Sequence, residues 1–97
     1  MKAIFIPYDQ AHKERILGLL EKTNIRGFTL WDGIQGKGNR TGEPHYGSHA
    51  WPTLNAAVLT VVPDEKVAGL LQKLQALDKE SENLGLHAFV WNVEQMV

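Results

Sequence analysis

The 97 residues suffice for one domain and leave no room for a second, and a core of this size gains noticeably from burial against a partner. Ten Lys and Arg stand against eleven Asp and Glu, a net charge of −1, which argues against the concentrated basic excess of a nucleic-acid-binding domain. The absence of cysteine excludes disulfides, thiolate metal sites and cysteine nucleophiles, and the apolar run Ala3–Ile6 before Pro7 is too short for a secretory leader or a membrane span, so a cytoplasmic protein is expected.

Lys2 to Pro7 reads as a short strand, rich in Ile and Phe and closed by proline. Asp9 is placed to cap a helix from about Gln10 to Thr23, in which Ile16, Leu17 and Leu20 form an apolar stripe, and Asn24 and Gly27 end it. Gly27–Asp32 is a second strand and Asn55–Val62 a third, the latter continuously apolar and β-branched. Pro63 and the acids Asp64 and Glu65 open a second helix, where Val67, Leu70, Leu71, Leu74 and Leu77 keep the helical spacing to about Asn83. Gly85 stops it, and Leu86 to Glu94 forms a fourth strand. The order βαββαβ predicts a ferredoxin-like α+β fold, a four-stranded antiparallel sheet with both helices on one face.

Both faces of these strands are apolar: Ile4 and Ile6 alternate with Ala3 and Phe5, Val58 and Val62 with Leu59 and Val61, Ala88 and Val90 with Phe89 and Trp91. Two helices cover only one face. The other predicts an interface between copies of the chain.

Between the second and third strands lies a loop at about 33–54, where connections are usually about 4–6 residues long. It holds five of the nine glycines and two of the four histidines, together with Tyr46 and Trp51, a composition suited to contacts more than to spanning a gap. In Gly36-Lys37-Gly38-Asn39-Arg40-Thr41-Gly42 the alternating glycines allow backbone N–H groups to converge on an anion with Lys37 and Arg40 adding charge; a turn with incidental charges fits the same spacing equally well. It is neither a Walker loop nor a dinucleotide fingerprint, since the Gly-Lys-Ser/Thr ending and an immediate helix are missing.

Glu43, His45 and His49 have the residue types of a metal site, although Pro44 and Gly47 oppose the helix that would align the imidazoles, and hydrogen bonding within the loop or across a subunit boundary is the competing use. His12 and His87 read as structural or solvent-facing. Ser48 beside His49 lacks an evident orienting group and oxyanion hole, and nothing fixes the separation of Asp32, Glu43 and Asp64, so no enzyme is expected.

The run Asn24-Ile-Arg-Gly-Phe-Thr-Leu-Trp-Asp-Gly-Ile-Gln-Gly-Lys-Gly-Asn-Arg-Thr-Gly42 resembles the PII signalling proteins, in which an Arg-Gly-(hydrophobic)-Thr strand leads into a Gly-x-Gly-x-x-x-Gly loop base. Element order, length and the long loop agree across most of the chain. The resemblance implies a homotrimer with its sheets facing inward, an adenine nucleotide bound in the clefts between subunits, and a T-loop that engages a membrane transporter or an enzyme without membrane insertion. It places Thr29 near the adenine and Gly36, Gly38 and Gly42 at the phosphate side, with Lys37, Asn39, Arg40 and Thr41 between them. Glu43, His45, Tyr46, His49 and Trp51 fall in the partner-contact part of the loop.

Arg40 stands where that family has a glutamine for magnesium and 2-oxoglutarate. Ser81–His87 replaces a second glycine-rich, lysine-bearing phosphate loop, and the basic residues beyond the last strand are missing. Two other classes fit the same loop: a CutA-like metal-binding protein using Glu43, His45 and His49, and a structural interaction module without a ligand.

Overall fold

The computed structural model describes residues 1–37, 44–50, 53–81 and 85–97. Its elements are β1 (Lys2–Asp9), a 3₁₀ turn (Gln10–His12), α1 (Lys13–Lys22), β2 (Thr29–Ile34), β3 (Gly36–Lys37), β4 (Pro44–His45), β5 (Asn55–Val62), a second 3₁₀ turn (Asp64–Lys66), α2 (Val67–Glu80) and β6 (Phe89–Asn92). The main sheet has the order β2-β5-β1-β6 with every neighbouring pair antiparallel, and β3 and β4 form a separate two-stranded ladder. The expected ferredoxin-like arrangement is thus the one adopted.

Register decides which side chains meet the helices. Ile4 lies opposite Thr60, Ile6 opposite Val58 and Tyr8 opposite Ala56, so these residues share a face; Ile4, Ile6, Tyr8, Val58 and Ala56 are fully buried in one cluster with Ile16 and Leu20 of α1 and Leu70, Leu74 and Leu77 of α2. Burying each such large apolar side chain is worth about 1.5–3 kcal/mol, and the 3.6-residue spacing of the helical leucines is what lets both helices contribute to one core. Thr60, a polar residue within this layer, is satisfied by donating to the Gly27 carbonyl at 2.6 Å, which also ties the approach to β2 onto β5.

Asp9 caps as expected: its Oδ1 accepts from the Ala11 N–H at 2.8 Å, although the first turn is 3₁₀ and α-helical bonding begins at Lys13. Asn24 takes a left-handed backbone (φ 58°), its N–H reaching Glu21 O at 2.9 Å while the Ile25 N–H reaches Leu20 O at 2.8 Å. This is a Schellman stop, with buried Ile25 and Leu20 as its apolar contact. Lys66 Nζ donates to the Thr23 and Asn24 carbonyls at 3.1 and 2.8 Å, placing a cation at the negative end of α1.

The boundaries of β1 and β6 differ from the sequence expectation. β1 continues through Pro7 to Asp9, because β6 pairs only with Lys2 to Phe5 and so leaves the proline facing no donor requirement on that side; the Pro7 carbonyl accepts from the His87 N–H at 3.2 Å. β6 is correspondingly short, with Leu86 buried in the core ahead of it. The expected end of the second helix at Asn83 lies outside the described residues; α2 is described to Glu80. Among the described residues no helix is long and apolar enough to cross a membrane.

The face of the sheet away from the helices carries Ala3, Phe5, Leu59, Val61, Thr29, Trp31, Phe89 and Trp91. Trp31 packs edge-to-face on Phe5 with ring centroids 6.4 Å apart, yet remains 42% exposed, beside Val61 at 37%, Trp91 at 49% and Phe89 at 53%. The two-sided apolar character read from the strands is therefore present as an uncovered aromatic surface.

Candidate functional site

The loop leaves the edge strand β2 through a break in register between Trp31 and Ile34, where Gly33 adopts φ +63°. A side chain is strained in that conformation, so glycine there lets the chain turn out of the sheet. Gln35 follows and its Nε2 donates to the Tyr46 carbonyl at 2.8 Å, across the small ladder in which Gly36 pairs with His45 and Lys37 with Pro44. On the returning limb the Gly47 N–H reaches Thr53 O at 3.1 Å and the Gln10 N–H reaches Leu54 O at 3.0 Å. The base of the loop is therefore a built hairpin, a feature not expected from the sequence, where no β-branched run marks it.

Beneath that hairpin three polar side chains are buried together. His45 Nδ1 lies 2.5 Å from Asn55 Oδ1, and His45 Nε2 lies 3.6 Å from Asp9 Oδ2, both members of the His–Asp pair being only 4% exposed. Because an amide oxygen only accepts, Nδ1 carries the hydrogen in this bond. Asp9 is at the end of β1 and Asn55 at the start of β5, directly opposite one another, and Asn55 also pairs with Ile34 of β2. A Cβ on Gly36 would stand 2.5 Å from Asn55 Nδ2, so this glycine serves close approach, in an extended backbone.

Nearby, Tyr8 is fully buried and its hydroxyl is pushed above its ordinary pKa of 10.0, first by burial and then by the negative charge of Asp32. Asp32 itself accepts from Lys13 Nζ at 2.8 Å at the surface.

The expected site residues fall into three groups. Thr29 is exposed on edge strand β2, on the same open face as Trp31, and Lys37 is exposed on β3. Gly38, Asn39, Arg40, Thr41, Gly42, Glu43 and Trp51 lie outside the described residues. Tyr46 and His49 are at the surface, but His45, expected to face a partner, is 3% exposed and turned inward onto Asp9 and Asn55. His49 is exposed, and among the described residues no three His, Asp or Glu side chains are grouped to hold a metal ion. Asp9 was read from the sequence only as a helix cap and Asn55 only as the start of a strand; the available signal was a polar residue at the end of one apolar strand and at the start of another.

A cleft of about 520 Å³ opens between the end of α1 and the approach to β2, lined by Leu17, Asn24, Ile25, Arg26 and Phe28, the last two close before Thr29. A second, of about 360 Å³, is formed wholly by α1 and α2 and includes no loop residue.

No curated protein matches the chain. Solved structures do. CPII, a nitrogen regulatory PII-like protein from Thiomonas intermedia K12 bound to ADP and bicarbonate, is 28% identical at a TM-score of 0.74, the match covering 93% of this chain and 82% of that one. The apo form of the same protein matches at 23% identity and a TM-score of 0.70, over 93% and 85% of the two chains. A PII-like signaling protein from Thermus thermophilus matches at 24% identity and a TM-score of 0.68, over 95% and 85%. A sequence model of the family described as nitrogen regulatory protein P-II matches residues 1–97. The aromatic open face, the Thr29 edge strand and the hairpin-based loop thus sit on a chain that belongs to the nitrogen regulatory protein P-II family.

Proposed function

We propose that this chain, acting as one PII-like domain in the cytoplasm, is a regulatory protein, not an enzyme, that assembles as a homotrimer and binds an adenine nucleotide together with a small anion at the base of its long loop. The observation that carries the reading is the position of Thr29: it is exposed on the edge strand, on the same open face as Trp31, and a few residues ahead of the hairpin. Closing three such faces about a cyclic axis buries the aromatic surface and brings each edge strand to a subunit boundary, where a ligand meets residues from two copies. The match to CPII bound to ADP and bicarbonate supports the ligand class. Thr29 would face the adenine, with Gly36, Lys37, Gly38, Asn39, Arg40, Thr41 and Gly42 on the phosphate side. Glu43, Tyr46, His49 and Trp51 would then carry the ligand state to a partner protein, a transporter or an enzyme.

Light scattering of the purified protein should return three times the chain mass of 10.9 kDa, and calorimetric titration with ADP, alone and with bicarbonate, should give one saturating event per chain. A monomer at micromolar concentration would reject the assembly. Absence of heat and of thermal stabilisation with ADP, AMP and ATP alike would reject the nucleotide.

A further inference from the structure

The group under the hairpin is polar and buried. Asp9, His45 and Asn55 are 3%, 3% and 7% exposed, and each comes from a different segment: the end of β1, the returning arm of the loop, and the start of β5. A buried polar group left without a partner is costly, so such a group persists only while its partners stay in place. Asp9 is committed on both oxygens, Oδ1 to the Ala11 N–H at 2.8 Å and Oδ2 facing His45 at 3.6 Å. Asn55 is hemmed in on the other side, since its amide nitrogen occupies the space a side chain at position 36 would need.

We infer that Asp9, His45 and Asn55 form an anchor that fixes the register of the β3–β4 hairpin, and that His45 is a positioning residue for Lys37 of the proposed ligand site. The inference rests on the nucleotide reading above and assigns how that site is held. Because side chains alternate along a strand, a slip of the hairpin by one residue would turn His45 to the opposite face and leave Asp9 and Asn55 buried without it. The ladder pairing Gly36 with His45 and Lys37 with Pro44 therefore has one permitted register. Lys37 is thereby held at a fixed point of the ladder. His45 would thus control affinity without touching the ligand.

The test compares His45→Ala with His45→Asn, whose amide can restore a donor near the position of Nδ1, in the intact oligomer. Amide hydrogen exchange of residues 36–37 and 44–46 reads the anchor, and ADP with bicarbonate reads the site. His45→Ala should speed exchange there by about tenfold or more, the factor carried by ~1.4 kcal/mol, and weaken ADP by about five- to tenfold, with the oligomer mass unchanged. His45→Asn should recover most of both. Gly36→Ala, which pushes on Asn55 from the other side, should reproduce the His45→Ala result and serves in its place if that variant does not fold. Wild-type exchange rates in His45→Ala or Gly36→Ala would overturn the anchor; faster exchange with unaltered ADP affinity would overturn the positioning role. If wild-type protein takes up no ADP, the ligand reading fails and the positioning role with it, whereas the exchange data still judge the anchor alone.

Discussion

Tyr8 shows how one side chain can set a pH limit on the fold. Its ring is fully buried in the core cluster, and its hydroxyl has no hydrogen-bond partner among the described residues. Burial, and then the charge of Asp32, raise its pKa above 10.0, which means that the folded state holds the phenolic proton more tightly than the unfolded chain does. Its contribution to stability is fully present below pH 10.0 and is lost as the pH climbs from there through the raised folded value. Tyr8→Phe should alter stability at neutral pH by less than about 1 kcal/mol and flatten the alkaline decline. Denaturant midpoints at pH ~7 and ~11 check this, and an equally steep alkaline loss in the variant would show that other groups cause it. At this scale the candidate site was only half legible. Lys37 could be named from the glycine-rich pattern and Thr29 from the family resemblance, but the His45 environment could not, because Asp9 is 36 residues away along the chain and meets His45 only through the β1–β5 register.

Elements followed from sequence where a single periodicity held. Asn55–Val62 was bounded at both ends by the change from loop composition to continuous apolar and β-branched residues, and Asn24 announced the stop of α1 that its left-handed backbone makes. The hairpin of β3 and β4 was not legible, since Gly-Lys and Pro-His carry no strand signal and their pairing is imposed by the anchor beneath them. Pro7 misled for a related reason: it ends strands in general, but here the partner on its other side stops at Phe89. Glycines give a contrast between elements. Gly18 lies inside α1 with open space where a Cβ would stand, so Gly18→Ala should stabilise by about 0.5–1 kcal/mol, whereas Gly33→Ala, at φ +63° in the β2 turn-out, should destabilise by about 1–2 kcal/mol. Chemical denaturation of both variants distinguishes these signs; a neutral Gly33→Ala would mean that the break in β2 is freely remodelled.

For the whole molecule, the fold was the most legible part, because two helical stripes and four apolar strands in the order βαββαβ leave few arrangements. The open face with Trp31, Val61, Phe89 and Trp91 was legible too, as apolar residues on both sides of each strand. Under the trimer reading Trp91→Asp, and independently Phe89→Asp, should each cost the assembly about 2–4 kcal/mol and shift light-scattering mass toward a single chain, with the helical circular dichroism retained. Undiminished oligomer mass in both would assign the interface to another surface.

The strand order also governs how the chain is made. β1 is made before both of its neighbours, β5 at residues 55–62 and β6 at residues 89–92, so until they emerge it has nothing to pair with. Until Phe89–Asn92 emerge, one edge of β1 stays open beside the uncovered face that carries Phe5 and Trp31. Chains interrupted before that point would be competent to add strand to strand, and the last strand therefore separates a completed sheet from aggregation.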